Sequence, residues 1–171
     1  DVYKRQLREG DMSGLSAVGG LVDRSFALVL IGFNTLFCLT TVEDQASCIA
    51  GAAKLLTPGG LLVVEAFVRA PDAHEGVSIR SIEANAVVLD IARFNRESQE
   101  ITGSRVEISG SGNRLFPYYL RYATPDQIDF MATAAGLMFR ERWADWLRTP
   151  FDEESPSHVS IWSKPDTVTS S

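Results

Sequence analysis

A chain of 171 residues with 45% hydrophobic content is long enough to bury a substantial core and short enough that a single domain is the default. Its 16 Lys and Arg stand against 22 Asp and Glu, and the resulting charge of −6 has the wrong sign for binding by phosphate neutralisation, so no nucleic-acid partner is expected. The apolar run Phe26 to Ile31 is far shorter than the roughly 20 residues of a bilayer-spanning helix, so no membrane partner is expected either. The charged N-terminus is followed by no apolar leader, which makes the cytoplasm the expected location. Cys38 and Cys48 form no CxxC pair, and His74 and His158 fall in unrelated segments, so no metal site is expected.

In chain order, Phe26 to Ile31 (FALVLI) reads as a strand buried on both faces, as in a parallel sheet. Thr40 followed by Glu43 predicts a capping box at the start of a helix. Ala46, Ile49, Ala50, Ala53 and Leu56 recur on one face of that helix, and Pro58-Gly59-Gly60 ends it. Leu61 to Phe67 (LLVVEAF) reads as a second buried strand, giving a βαβ unit and an α/β core. From about Asn85 to Tyr122 the texture changes to alternation, with turn signals near Asn95 and Gly110, and predicts three antiparallel strands. Thr124, Pro125 and Gln127 predict a second helix that exits at Gly136, with Ile128, Met131, Ala132 and Ala135 on its apolar face. Met138 to Trp146 and Ser157 to Ser163 predict a closing antiparallel hairpin, before a frayed tail over 165–171. Trp143 and Trp146 are expected in the core, and Arg140, Glu141 and Arg142 on a solvated face.

The string FALVLIGFNTLFCLTTVEDQ, followed by AAKLLTPGGLLVVEAFV, resembles the fourth strand, fourth helix and fifth strand of small class I methyltransferases that use S-adenosylmethionine. Gly10-Asp11-Met12 resembles the end of that family's third strand, LRYATPDQIDFMATAAGL its late strand-to-helix passage, and WADWLRTPFDEESPSHVSIW its closing segment. The resemblance runs from about Glu9 to Lys164, and the order of the segments carries it more than any single motif. It implies a Rossmann-like class I methyltransferase sheet without strands 1 and 2, an antiparallel β insert over 85–122 that covers the cofactor cleft as a lid, and a C-terminal antiparallel hairpin. The family's glycine-rich loop and its ribose-binding acidic residue are not found, so the domain at 7–164 is expected to be partial. Two missing strand-plus-helix repeats correspond to at least about 60 residues. The opening DVYKRQ resembles the read-through of a sequencing adapter, and residues 1–6 are expected to be foreign.

The resemblance implies S-adenosylmethionine as cofactor and an oxygen or nitrogen of a small molecule as methyl acceptor, with little activity expected of this chain alone. Asp11 matches the position that accepts from the adenine amino group, with the Met12 amide serving the neighbouring ring nitrogen; without the resemblance, Asp11 also reads as a solvated turn residue. Ligands of open α/β sheets lie beyond the carboxyl ends of the strands, which places Phe33 and Asn34 at the cofactor; Asn34 is equally an ordinary loop former. Glu65, a charge inside an apolar run, requires a partner or a wet pocket, and serves either a substrate or a structural arginine. Tyr118, Tyr119 and Arg121, with Tyr122, gather on one strand and are candidates for contacting substrate or for packing the insert. No catalytic residue is assigned; His158, Glu65 and Tyr119 are unranked candidates for a base. The alternative to an enzyme is a non-catalytic methyltransferase-like binding or scaffold subunit, with a nicotinamide dehydrogenase as a weaker third reading.

Overall fold

A computed structural model describes residues 6–69 and 75–166, within two compact units, Asp1–Val68 with Thr124–Ser171, and Arg69–Ala123. Of the sequence expectations, the leader up to Arg5, His74, and the tail from residue 167 onward lie outside the described residues.

In the first unit, β1 (Phe26–Ile31) and β2 (Leu56–Phe67) are parallel, with Leu28 opposite Leu61 and Ile31 opposite Val64, and α1 (Val42–Leu55) makes the crossover. β7 (Met138–Trp143) and β8 (Ser157–Ser163) close the sheet in the order β1-β2-β8-β7, with β8 antiparallel to both neighbours. The expected βαβ unit and C-terminal hairpin are both present. α2 (Pro125–Ala134) carries the expected capping box: the Thr124 hydroxyl accepts from Gln127 N, and the Gln127 side chain accepts from Thr124 N. Gly136 follows at φ 80°, the left-handed conformation a helix exit requires.

Three local expectations are corrected. The cap of α1 is Thr41, whose hydroxyl accepts from Asp44 N, so the helix starts one residue later than Thr40 and Glu43 suggested, and Thr41 supplies the extended cap backbone at φ −121°. The buried stripe therefore runs through Gln45, Cys48, Ile49, Ala52, Ala53 and Leu55, and buried Gln45 is satisfied by donating to the Leu39 carbonyl. Trp146 is 57% exposed, because the strand ends at Trp143 and the Asp145 carboxylate folds the chain into a turn by accepting from Leu147 and Thr149. The core tryptophan is Trp162, at 0% exposure. Arg142 is not solvated: it donates to Ser160 Oγ at 2.7 Å and to Asp129 at 2.8 Å.

Leu62, Val64 and Ala66 alternate along β2 at 0% exposure, opposite Trp162, Ser160 and His158 of β8. Each such buried branched side chain contributes about 1.5–3 kcal/mol over leaving it in water. β1 forms one edge of this sheet and leaves Leu28 and Leu30 53% and 54% exposed.

The second unit is one antiparallel sheet in the order β3-β4-β5-β6, made of β3 (Gly76–Glu83), β4 (Ala86–Asn95), β5 (Glu100–Ser109) and β6 (Gly112–Arg121). The insert thus holds four strands, one more than the sequence pattern suggested, and begins before residue 85. A bulge between Ile79 and Ser81 shifts the register, so the apolar alternation of β3 slips mid-strand and its signal weakens.

Candidate functional site

The carboxyl ends of β1 and β2 are joined by a turn whose geometry the residue types do not favour. Gly32 to Thr35 form a β-turn in which Thr35 N donates to the Gly32 carbonyl at 3.2 Å. Both central residues are left-handed, Phe33 at φ 53° and Asn34 at φ 62°. Asparagine tolerates that region; phenylalanine does so at a cost on the order of 1–3 kcal/mol. Four contacts hold the turn. Phe33 N donates to Glu65 Oε2 at 2.8 Å, Asn34 N to the Glu65 carbonyl at 3.0 Å, Phe67 N to Asn34 Oδ1 at 2.6 Å, and Thr35 Oγ1 to the Gly32 carbonyl at 2.6 Å.

Glu65 therefore finds its partner in the backbone amide of Phe33. Asn34 ties the turn to the end of β2, and Phe67 in turn packs edge-on against the buried Phe37 ring, centroids 5.0 Å apart. The Phe33 side chain, held in a disfavoured backbone conformation, is left 82% exposed. The structure thus brings three of the sequence candidates, Phe33, Asn34 and Glu65, into one hydrogen-bonded cluster.

Asp11 and Met12 belong to a separate piece of the same unit. Asp11 caps a short 3-10 helix, Met12–Ala17, by accepting from Ser13 N at 2.8 Å. Hydrogen bonds from Ser13, its backbone amide first, hold the exposed Asp11 carboxyl below the usual range, so it is ionised at neutral pH. Leu15 of this helix packs at Gly51 of α1, where an added Cβ would stand 3.1 Å from it.

His158 is fully buried on β8. Burial first, and the Arg142 guanidinium second, push its pKa down to about 4, so the ring is neutral. Ser160 Oγ accepts from Arg142 Nε and shares a 2.8 Å hydrogen bond with His158 Nδ1, the neutral ring donating or accepting there according to its tautomer. Asp129 completes this set, accepting from Arg142 and from Trp162 Nε1 at 3.1 Å. Sequence reasoning missed the network; its signal was the spacing of His158, Ser160 and Trp162 on one face of an otherwise apolar strand. Burial also raises the Cys48 thiol to about 11, which leaves it inert.

Among solved structures, the chain is similar to the CcbJ methyltransferase from Streptomyces caelestis, at 37% identity and a TM-score of 0.79, over 85% of this chain and 64% of that one. The chain is thus similar in sequence and fold to an S-adenosylmethionine-dependent methyltransferase. A methyltransferase from Clostridium acetobutylicum shares the fold at 9% identity and a TM-score of 0.75, over 91% of this chain and 63% of that one. So does S-adenosylmethionine-bound CalS10, an amino pentose methyltransferase from Micromonospora echinaspora involved in calicheamicin biosynthesis, at 21% identity and a TM-score of 0.62, over 91% and 63%. The chain spans less than two thirds of each of them. No protein-family model and no curated protein sequence matches it.

The remaining candidates lie in the second unit and do not form one cluster. Strand alternation puts Tyr118 and Tyr119 on opposite faces of β6. Tyr118 lies across Gly103 of β5, where a side chain on Gly103 would collide with the ring, and desolvation, then Asp90, raise its phenol. Tyr119 is 64% exposed. Arg121 is buried and donates to Gln99 Oε1 at 2.9 Å, bracing the turn in which Gln99 takes φ 59°. Among the described residues no group of His, Cys, Asp and Glu is arranged to hold a metal ion, and no helix is long and apolar enough to cross a membrane.

Proposed function

We propose that the protein binds S-adenosylmethionine beyond the carboxyl ends of β1 and β2 and, in its full length, methylates an oxygen or nitrogen of a small molecule. The observation that carries this reading is the pinned turn at Phe33 and Asn34: a strained backbone, fixed by Glu65 and Phe67, that holds an aromatic ring out of the core at the position where open α/β sheets take their ligands. The kinship with CcbJ supports methyl transfer, and the amino pentose specificity stated for CalS10 supports a small-molecule acceptor.

The residues present fit the cofactor. When bound, S-adenosylmethionine supplies a methyl group on a positively charged sulfur. The exposed face of Phe33 is suited to a cation or to a purine ring. The ionised Asp11 carboxylate accepts from an exocyclic amine, beside the Met12 amide. Glu65 orients the Phe33 amide and Asn34 the end of β2, so both act here by fixing the turn. His158, neutral and buried, is not a surface base.

Calorimetric titration of S-adenosylmethionine into the full-length gene product tests the reading. Binding that weakens at least about 10-fold in Phe33→Ala and in Asp11→Ala is expected, since removing a stacked ring or a charge-assisted acceptor costs about 1.4 kcal/mol or more. No binding by the full-length protein would sink the proposal and leave the non-catalytic binding-subunit reading in its place.

A further inference from the structure

In the first unit, α1 borders a cavity to which none of Asp11, Met12, Phe33, Asn34 and Glu65 contributes. Ser47, Ala50, Gly51 and Lys54 follow one another at helical spacing on a single face of α1. Gly51 lets Leu15 of the 3-10 helix close on that face, since an added Cβ would stand 3.1 Å from it, and the small Ser47 and Ala50 leave room beside the contact. The turn before β1 supplies another wall. Arg24, at φ 56°, donates its amide to the Lys54 carbonyl at 2.9 Å, and Ser25 donates to the Leu55 carbonyl at 2.9 Å, so Asp23 is held near the end of α1. The enclosed volume is about 250 Å³. Leu15, Ala50 and Leu55 give it an apolar lining, and Asp23, Lys54, Ser16 and Ser47 a polar one.

Two of these side chains carry opposite charges that nothing nearby uses. Among the described residues, neither the Asp23 carboxylate nor the Lys54 ammonium makes an ion pair or hydrogen bond, with the other or with any neighbour. Neither does the structural work its position suggests. Lys54 stands in the last turn of α1, where a cation commonly satisfies the terminal carbonyls, but Lys164 Nζ takes that role, donating to the Ala53 and Leu56 carbonyls at 2.7 and 2.8 Å. Asp23 lies in a turn, where an aspartate commonly accepts from a nearby amide, and it accepts from none among the described residues. The Ser16 and Ser47 hydroxyls are likewise uncommitted.

We infer that this cavity is a binding site for a free α-amino acid with an apolar side chain. An acid and a base that line one small space without reaching each other are both met by a zwitterion. Its ammonium donates to Asp23, and its carboxylate accepts from Lys54 and from the serine hydroxyls. A ligand of one charge would leave the opposite group unanswered. Size and lining fix the rest of the ligand: 250 Å³ lies below the roughly 300–1,000 Å³ of pockets for drug-sized molecules, and Leu15, Ala50 and Leu55 suit a hydrocarbon side chain.

Calorimetric titration of L-leucine into the whole chain, with no S-adenosylmethionine and no methyl acceptor present, tests the inference apart from the methyl-transfer proposal. Saturable binding with a Kd of about 1 mM or tighter is expected. Isopentylamine, which lacks the carboxylate, and isocaproate, which lacks the ammonium, should each bind at least about 10-fold more weakly. Lys54→Met and Asp23→Asn remove one charge each at nearly constant size and should each weaken L-leucine about 10-fold, with circular dichroism unchanged. Ser47→Leu fills the cavity without touching either charge and should weaken it by at least as much, so the inference does not hang on the charged variants alone. No saturable binding of L-leucine overturns the inference. Equal binding of either analogue overturns it as well, and so does an affinity that Lys54→Met, Asp23→Asn and Ser47→Leu all leave unchanged.

Discussion

In the unit built on β1, β2, β7 and β8, Leu62, Val64 and Trp162 are wholly out of water, and α1 and α2 pack against each other and the sheet. In the unit built on β3 to β6, only Ile101, Arg121, Tyr122 and Ala123 among the described residues reach comparable burial. Both sheets are hydrogen-bonded through their strands, so backbone pairing does not distinguish them. What differs is the second layer. Helices give the first unit an interior in which a side chain has neighbours on every side; the second is a single sheet in which Val77, Ile79, Ile82 and Leu115 are each at least 65% exposed. Sensitivity to substitution should therefore be concentrated in the first unit.

The largest contrast is expected for Trp162→Ala, which empties a fully buried site and should cost about 3–5 kcal/mol in chemical denaturation. Leu115→Ala in the second unit should stay within about 0.5 kcal/mol, because its side chain is already 68% exposed. Equal losses for the two would break the comparison.

The next effect is a pH dependence confined to the first unit. His158 has a folded pKa of about 4 against an ordinary 6.5. On acidification the unfolded chain takes up the proton first, so the stability from burying a neutral ring is complete above about pH 6.5 and is lost as the pH falls towards 4. The full difference is roughly 3 kcal/mol. Carboxylates titrate in part of the same range, so the relevant measurement is the slope of stability against pH in the wild type minus that in His158→Gln. A difference near zero would mean that the ring is solvated in the folded state.

The two units also differ in how much of them the sequence discloses. β1, α1 and β2 are legible because FALVLI and LLVVEAF are continuous apolar runs flanking a helical stripe, and α2 because its capping box and Pro125 are local chemistry. β3 is half-hidden, since its bulge moves the apolar residues from one parity to the other. At the candidate site, Glu65 stood out as a charge in an apolar run, and Phe33 and Asn34 followed from strand-end position and family resemblance. The left-handed pair, and the Phe33 and Phe67 amides as the partners of Glu65 and Asn34, did not. These bonds join residues 32 or 33 positions apart, and tertiary pairing of that kind leaves no trace in local spacing.

Asn34→Ala probes that tertiary pairing with a smaller effect. It orphans the Phe67 amide and puts alanine at φ 62°, for about 2 kcal/mol in total. Asn34→Gly relieves the backbone but not the lost acceptor, and should be the milder of the two if strain contributes. Identical losses would assign the whole effect to the hydrogen bond.

The smallest expected effect belongs to Thr124→Ala. The hydroxyl accepts from Gln127 N at 3.3 Å, while the reciprocal bond to Thr124 N, at 2.9 Å, comes from a side chain the substitution leaves in place. Only one of the two orphan amides is therefore uncovered, on a half-wet helix start, and the loss should be about 1 kcal/mol or less. Gln127→Ala removes the other half of the box. Because the shorter bond is the one Gln127 makes, its loss should be somewhat larger than that of Thr124→Ala, and the double variant should cost less than the sum if either bond depends on the other to hold the turn. Strict additivity in a double-mutant cycle would show two independent caps on one helix end.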